Sequence, residues 1–146
     1  MTIPNRVSLI LIASFVVIAP FSGLGWNVVG MHFAGAAIVF CTCFALFAVN
    51  VMGGGDAKLL SATALWFGFN QSLLFLVADI GLIGGVLTLL ILMVRSQSNA
   101  ILAIGLPIPN SLLLAKKIPY GIAIAIGGFL AFPSSPLFIA ALESLK

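Results

Sequence analysis

Val51-Met52-Gly53-Gly54-Gly55-Asp56-Ala57-Lys58-Leu59 contains the one polar, sequence-specific island in an almost wholly apolar chain. A membrane-length apolar run ends at Val51 and another apolar run begins at Leu59. A carboxylate at such a boundary carries a heavy desolvation penalty, which marks it as a candidate functional group. The three glycines let the backbone approach a neighbour closely and take conformations that other residues avoid. Asp56 stands where the following helix should begin, and the helix dipole favours a negative charge there. The plainer reading of Asp56 is a helix N-cap in a membrane turn.

Composition sets the frame around this island. Of 146 residues, 62% are hydrophobic and only 6% are charged, and the mean hydropathy is +1.31. A soluble surface uses about 25% charged residues. The expected class is therefore an all-α, polytopic transmembrane helix bundle, a single integral-membrane domain over residues 1–146 with the lipid bilayer as its first partner. The net charge of +3 does not indicate nucleic acid, because Arg6, Lys58, Arg95, Lys116 and Lys117 all fall at the ends of apolar runs, as orientation signals do. Cys41 and Cys43 point to different sides of a helix, and His32 is the only histidine, so neither a disulfide nor a metal site is expected. Nothing in the sequence calls for a cofactor.

Apolar runs predict about five spans, near residues 7–24, 28–51, 57–68, 73–94 and 118–132. The third is short: at 1.5 Å per residue it reaches about 20 Å against a hydrocarbon core of about 30 Å, so neighbouring helices must shield it or the bilayer must thin. Pro107 and Pro109 break the stretch 100–114, which reads as an interfacial loop, and Pro133-Ser134-Ser135-Pro136 ends the last span. Alternation of these spans puts five of the six basic residues on one side, together with Asp56, and that side is expected to be cytoplasmic. The turns at Trp26 and Asn70 then face outward, and His32 is expected at the outer interface.

Soluble-protein motifs do not account for the island. A P-loop ends in Gly-Lys-Ser/Thr, a dinucleotide fingerprint follows a strand, and a calcium loop needs more acids than the three in this chain. Intramembrane acid–base chemistry fits better. Two aspartates held together share a proton; one then activates a water while the other polarises a scissile carbonyl. Asp79 lies about 10 Å down the fourth span, and nothing in its spacing brings it to Asp56. A reading from another class also stands: a small transport or assembly subunit whose broken helix binds an ion at Asp56.

Gly-x-Gly-Asp-x-Lys after a span resembles the signature of membrane-embedded aspartic peptidases. The string Gly53 to Leu60, followed by Leu65-Trp66-Phe67-Gly68, is similar to the short prepilin peptidases of tight-adherence (Flp) pilus systems, within the type IV prepilin peptidases. Ile3-Pro4-Asn5 before the first span and Ile118-Pro119-Tyr120-Gly121 before the last one look like the same family. The resemblance implies an aspartic endopeptidase of the bacterial inner membrane that clips leader peptides from prepilin or pseudopilin substrates at the cytoplasmic face. It makes Asp56 the catalytic residue, with Gly53, Gly55 and Lys58 as supporting positions of the motif. It also implies an additional helix and a first catalytic aspartate a few residues before Ile-Pro-Asn. The chain starts Met1-Thr2-Ile3, so that helix is expected to be missing, through either a start placed downstream or degeneration into an inactive relic. No methyltransferase cysteine cluster is present, so cleavage without methylation is expected.

Overall fold

A computed structural model describes residues 3–96 and 120–143. Helix α1 (Asn5–Ile18) starts after Pro4, which sits in extended backbone at the N-cap, where its missing N–H is not needed. Pro20 then stops the helix. The chain tightens into a 3-10 turn at Ala19–Phe21 and reverses at Gly23, whose φ is +71°. Helix α2 (Trp26–Ala48) ends in a Schellman motif, with the Val51 N–H on the Leu46 carbonyl and the Asn50 N–H on that of Phe47. Asn50 supplies the left-handed residue, at φ 62°. That turn delivers the chain to Gly53 and helix α3 (Gly54–Ala64).

The polar break expected around residues 68–72 is the junction between α3 and α4 (Gln71–Ser96). Asn70 caps α4, its Oδ1 accepting from the Ser72 N–H at 2.8 Å. Gly68, at φ +73°, turns the backbone so that the Phe69 N–H reaches the Met31 carbonyl of α2. Gly35 lets this turn lie against α2, since a Cβ there would come within 2.8 Å of the Gly68 carbonyl carbon. Helix α5 (Tyr120–Ala131) runs through a 3-10 turn at Phe132–Ser134 and bends by 41° into α6 (Pro136–Glu143).

The described residues are helical throughout, with turns and no strand. The expected count of about five spans is corrected. Two described helices, α2 and α4, are long and apolar enough to cross a membrane, or three if the bent α5–α6 pair counts as one. Pro20 is the reason for the first shortfall: it limits α1 to 14 residues, about 21 Å at 1.5 Å per residue. The short third span is confirmed as short, with 11 helical residues. The expected loop at 100–114 and the Lys116-Lys117 pair lie outside the described residues.

Small residues explain how so short a helix is kept within the bundle. Ala57, Ala62 and Ala64 are buried, and α3 packs on α1, α2 and α5. One apolar cluster joins Val39, Ala57, Leu76, Ile80 and Ile124; a second joins Phe15, Ala19, Leu65 and Leu137. The outer surface carries large apolar side chains such as Leu82 and Phe129, as a lipid-facing surface requires.

Glycine contacts give the helix directions. Gly121 meets Asp56 and Gly128 meets Thr63, so α5 runs parallel to α3. Gly127 packs on Ile80 and Gly84 on Tyr120, so α4 runs antiparallel to α5. Helix α2 runs opposite to α3, with Phe47 at Gly54 and His32 at Leu65. Arg6, Lys58 and Arg95 therefore lie at the same end of the bundle as Asp56, while Trp26 and Asn70 lie at the other.

Candidate functional site

The site is assembled around the first turn of α3. Gly53 is its N-cap, in extended backbone at φ −75° and ψ 139°, and Asp56 is the acidic residue of the first turn. The carboxylate folds back over the turn: a Cβ at Gly53 would lie 3.1 Å from Asp56 Oδ2. Its other oxygen faces α5, where a Cβ at Gly121 would lie 3.7 Å from Oδ1. Two glycines from separate elements thus flank the carboxylate, with Gly53 the one at which a Cβ would crowd it. Asp56 is half-buried, on a helix N-terminus whose dipole favours negative charge.

Ile3 closes the third side. A Cβ at Gly55 would stand 3.2 Å from Ile3 Cβ and 3.3 Å from its backbone nitrogen, and one at Gly121 would stand 2.9 Å from Ile3 Cδ1. The absence of side chains at Gly55 and Gly121 seats this isoleucine beside Asp56. Three stretches far apart in sequence, at Ile3-Pro4-Asn5, Gly53–Asp56 and Tyr120-Gly121, therefore meet at one point.

Lys58 projects elsewhere. Two residues beyond Asp56 on a helix, it points to the opposite side, where its Nζ donates to Asn5 Oδ1 at 3.2 Å. Its described bond ties α3 to the start of α1. Asp79 is not brought to Asp56. Its neighbour Ile80 packs on Gly127, six residues along α5 from the Gly121 that faces Asp56, an axial separation of about 9 Å. Glu143, the remaining acid, belongs to α6, whose Leu137 packs with Leu65 at the far end of α3.

Two residues take places that sequence patterning did not assign. Gly121 is part of the site, and its signal was the Ile-Pro-Tyr-Gly string before the last span. His32 is fully buried inside the bundle: its Nδ1 lies 2.8 Å from the Leu65 carbonyl, and its ring packs on Phe15 and Gly68. Because a carbonyl only accepts, Nδ1 carries the proton. His32 closes the C-terminal end of α3 and takes no part in the site.

This arrangement is a helical bundle with one carboxylate at one end, flanked by glycines of two separate elements. The model of the type IV leader peptidase family matches residues 1–94, and the chain belongs to that family. The matched region includes Ile3-Pro4-Asn5 and the Gly53–Lys58 string; Gly121 lies beyond it. No curated protein and no solved structure matches the chain. Membership gives a membrane-embedded protein of leader-peptidase type, related to the prepilin peptidases.

Proposed function

We propose that this protein is an aspartic endopeptidase, a single membrane domain that removes leader peptides from prepilin or pseudopilin substrates of a tight-adherence (Flp) pilus system. The observation that carries this reading is the meeting of Ile3, Gly53–Asp56 and Gly121 around one carboxylate. Asp56 serves as one half of a two-aspartate site. In the shared-proton state, one carboxylate draws a proton from water as the oxygen attacks the peptide carbonyl, and the protonated carboxyl donates to the developing oxyanion. The tetrahedral intermediate then collapses with proton transfer to the leaving nitrogen.

Asp79 and Glu143 lie away from Asp56, so neither supplies the second carboxylate. The resemblance to prepilin peptidases puts it on the amino-terminal side of Ile3-Pro4-Asn5. The Ile3 nitrogen itself lies at the glycine turn, 3.3 Å from where a Cβ on Gly55 would stand. Positive-inside bias supports a cytoplasmic site in the bacterial inner membrane, since Arg6, Lys58 and Arg95 share the Asp56 end.

Co-expression of the full-length protein with a prepilin tests this reading. Leader removal, followed by the mass of the product, is the expected result. A transport or assembly subunit instead yields ion flux or a stable complex while the prepilin keeps its leader, and that outcome would overturn the peptidase reading.

A further inference from the structure

Two separate contacts from the start of α3 lead to the same short stretch, Ile3-Pro4-Asn5. In one, the Ile3 backbone nitrogen lies 3.3 Å from where a Cβ on Gly55 would stand, next to Asp56 in the chain. In the other, Lys58 Nζ donates to Asn5 Oδ1 at 3.2 Å. Pro4 joins the two. Its ring restricts φ, here −66° with ψ 139°, and its bulk restricts the backbone of the residue before it. Fixing Asn5 therefore fixes the backbone of Ile3.

Apolar packing does not hold this part of α1. In its first turn Asn5, Arg6 and Val7 are exposed, and the first buried side chain of the helix is Ser8. Phe15 is buried further along, and a second tie to the α3 side, Trp66 Nε1 donating to the Leu11 carbonyl at 3.1 Å, lies more than a turn and a half beyond Asn5. Packing thus secures α1 from Ser8 onward and leaves the first turn to a polar contact.

A simpler role for Lys58 is that of an orientation charge at a membrane boundary. Such a charge needs no partner. Here the amine reaches an amide oxygen 53 residues away in sequence. At an exposed position such a contact adds little to overall stability; what it fixes is direction.

We propose that Lys58 is a positioning residue: by clamping Asn5 it holds the Ile3 backbone against Gly55, beside Asp56. The inference rests on the peptidase reading, in which the second carboxylate belongs on the amino-terminal side of this stretch. What fixes Ile3 then sets how the two carboxylates are held relative to each other.

The test is a reciprocal set of substitutions in the full-length protein, each followed by prepilin cleavage in proteoliposomes and by hydrogen–deuterium exchange over residues 3–8. Lys58→Met and Asn5→Leu should each lower kcat about tenfold with KM unchanged, as for a misplaced catalytic group. Together they should cost no more than either alone, because both remove one contact. Asn5→Lys combined with Lys58→Asn rebuilds the pair in reverse and should recover most of the lost kcat. Exchange over residues 3–8 should rise in the broken variants and fall back in the reversed pair, while the thermal midpoint shifts little. Asn5→Leu removes no charge, so its effect separates clamping from membrane orientation. Should Lys58→Met fail to insert, the comparison of Asn5→Leu with Asn5→Asp, which keeps the acceptor and should retain the higher kcat, decides alone. Unchanged kcat or unchanged exchange in Asn5→Leu would overturn the proposal, as would additive losses in the double variant or no recovery in the reversed pair. An unmodified protein that leaves prepilin uncut overturns the peptidase reading and the positioning role with it. An unmodified protein that cuts, with Asn5→Leu cutting equally well, overturns the positioning role alone.

Discussion

Gly121 and Gly53 act by what they lack. Gly53 leaves room for one oxygen of the Asp56 carboxylate, and Gly121 admits the tip of Ile3 beside the other. The two contacts differ in tolerance, and that difference can be measured. Gly121→Ala meets Ile3 Cδ1 at 2.9 Å, the free end of a flexible side chain, and is absorbed by a rotamer change. Gly121→Val extends further, into the carboxylate. We expect the alanine variant to cleave prepilin at close to the normal rate and the valine variant to lose about 10²-fold in kcat with little change in KM, as for a catalytic group displaced by about 1 Å. Equal rates for both variants would show that α5 does not position Asp56. Asp56 stood out as a candidate in the sequence because an ionisable side chain is costly between apolar runs, and the glycines beside it mark a close backbone approach. His32 could not be read in the same way: an isolated histidine near a helix start looks interfacial until tertiary packing brings Leu65 and Gly68 to it.

Among the elements, α3 depends on its neighbours for its place in the bundle. Its length rules out independent spanning, and the α1, α2 and α5 contacts compensate. Helix α5 is held in turn by α4, most tightly where Gly127 lies against the Ile80 backbone: a Cβ there would come within 2.6 Å of Ile80 Cγ1 and 2.9 Å of its nitrogen. Unlike the tip of Ile3, that backbone cannot rotate away. Gly127→Ala should destabilise the folded protein by about 1–3 kcal/mol, the range for overpacking a tight contact, seen as a lower thermal midpoint in detergent. Gly85→Ala, at a helical glycine with nothing within 4 Å of a built Cβ, is the matched control and should leave the midpoint unchanged or raise it slightly. Helices α2 and α4 were legible because their apolar runs are long and uninterrupted. The end of α2 was not, because Asn50 carries a left-handed turn that apolar patterning does not report. The reach of α1 was overestimated for a related reason: Pro20 lies inside an apolar run yet stops the helix.

The molecule as a whole is polarised. Asp56, Arg6, Lys58 and Arg95 share one end, and Trp26 and Asn70 the other. The basic residues should face the cytoplasm. A membrane-impermeant maleimide applied outside intact cells should label Asn27→Cys and leave Ser96→Cys unlabelled, in a background where Cys41 and Cys43 are replaced. The reverse pattern would put Asp56 on the outer face. Spacing alone could not show that the strings around Ile3, Gly53 and Gly121 meet at one carboxylate, since their separation along the chain exceeds any local pattern. Only the helix packing places Ile3 and Gly121 beside Asp56. The decisive measurement is prepilin cleavage by the full-length protein in proteoliposomes, comparing Asp56→Asn with Asp79→Asn at matched folding and insertion. Asparagine keeps the shape of the carboxylate and removes its proton chemistry. The expected result is cleavage by Asp79→Asn at close to the normal rate and none above background by Asp56→Asn; full cleavage by Asp56→Asn would contradict the role assigned to that carboxylate.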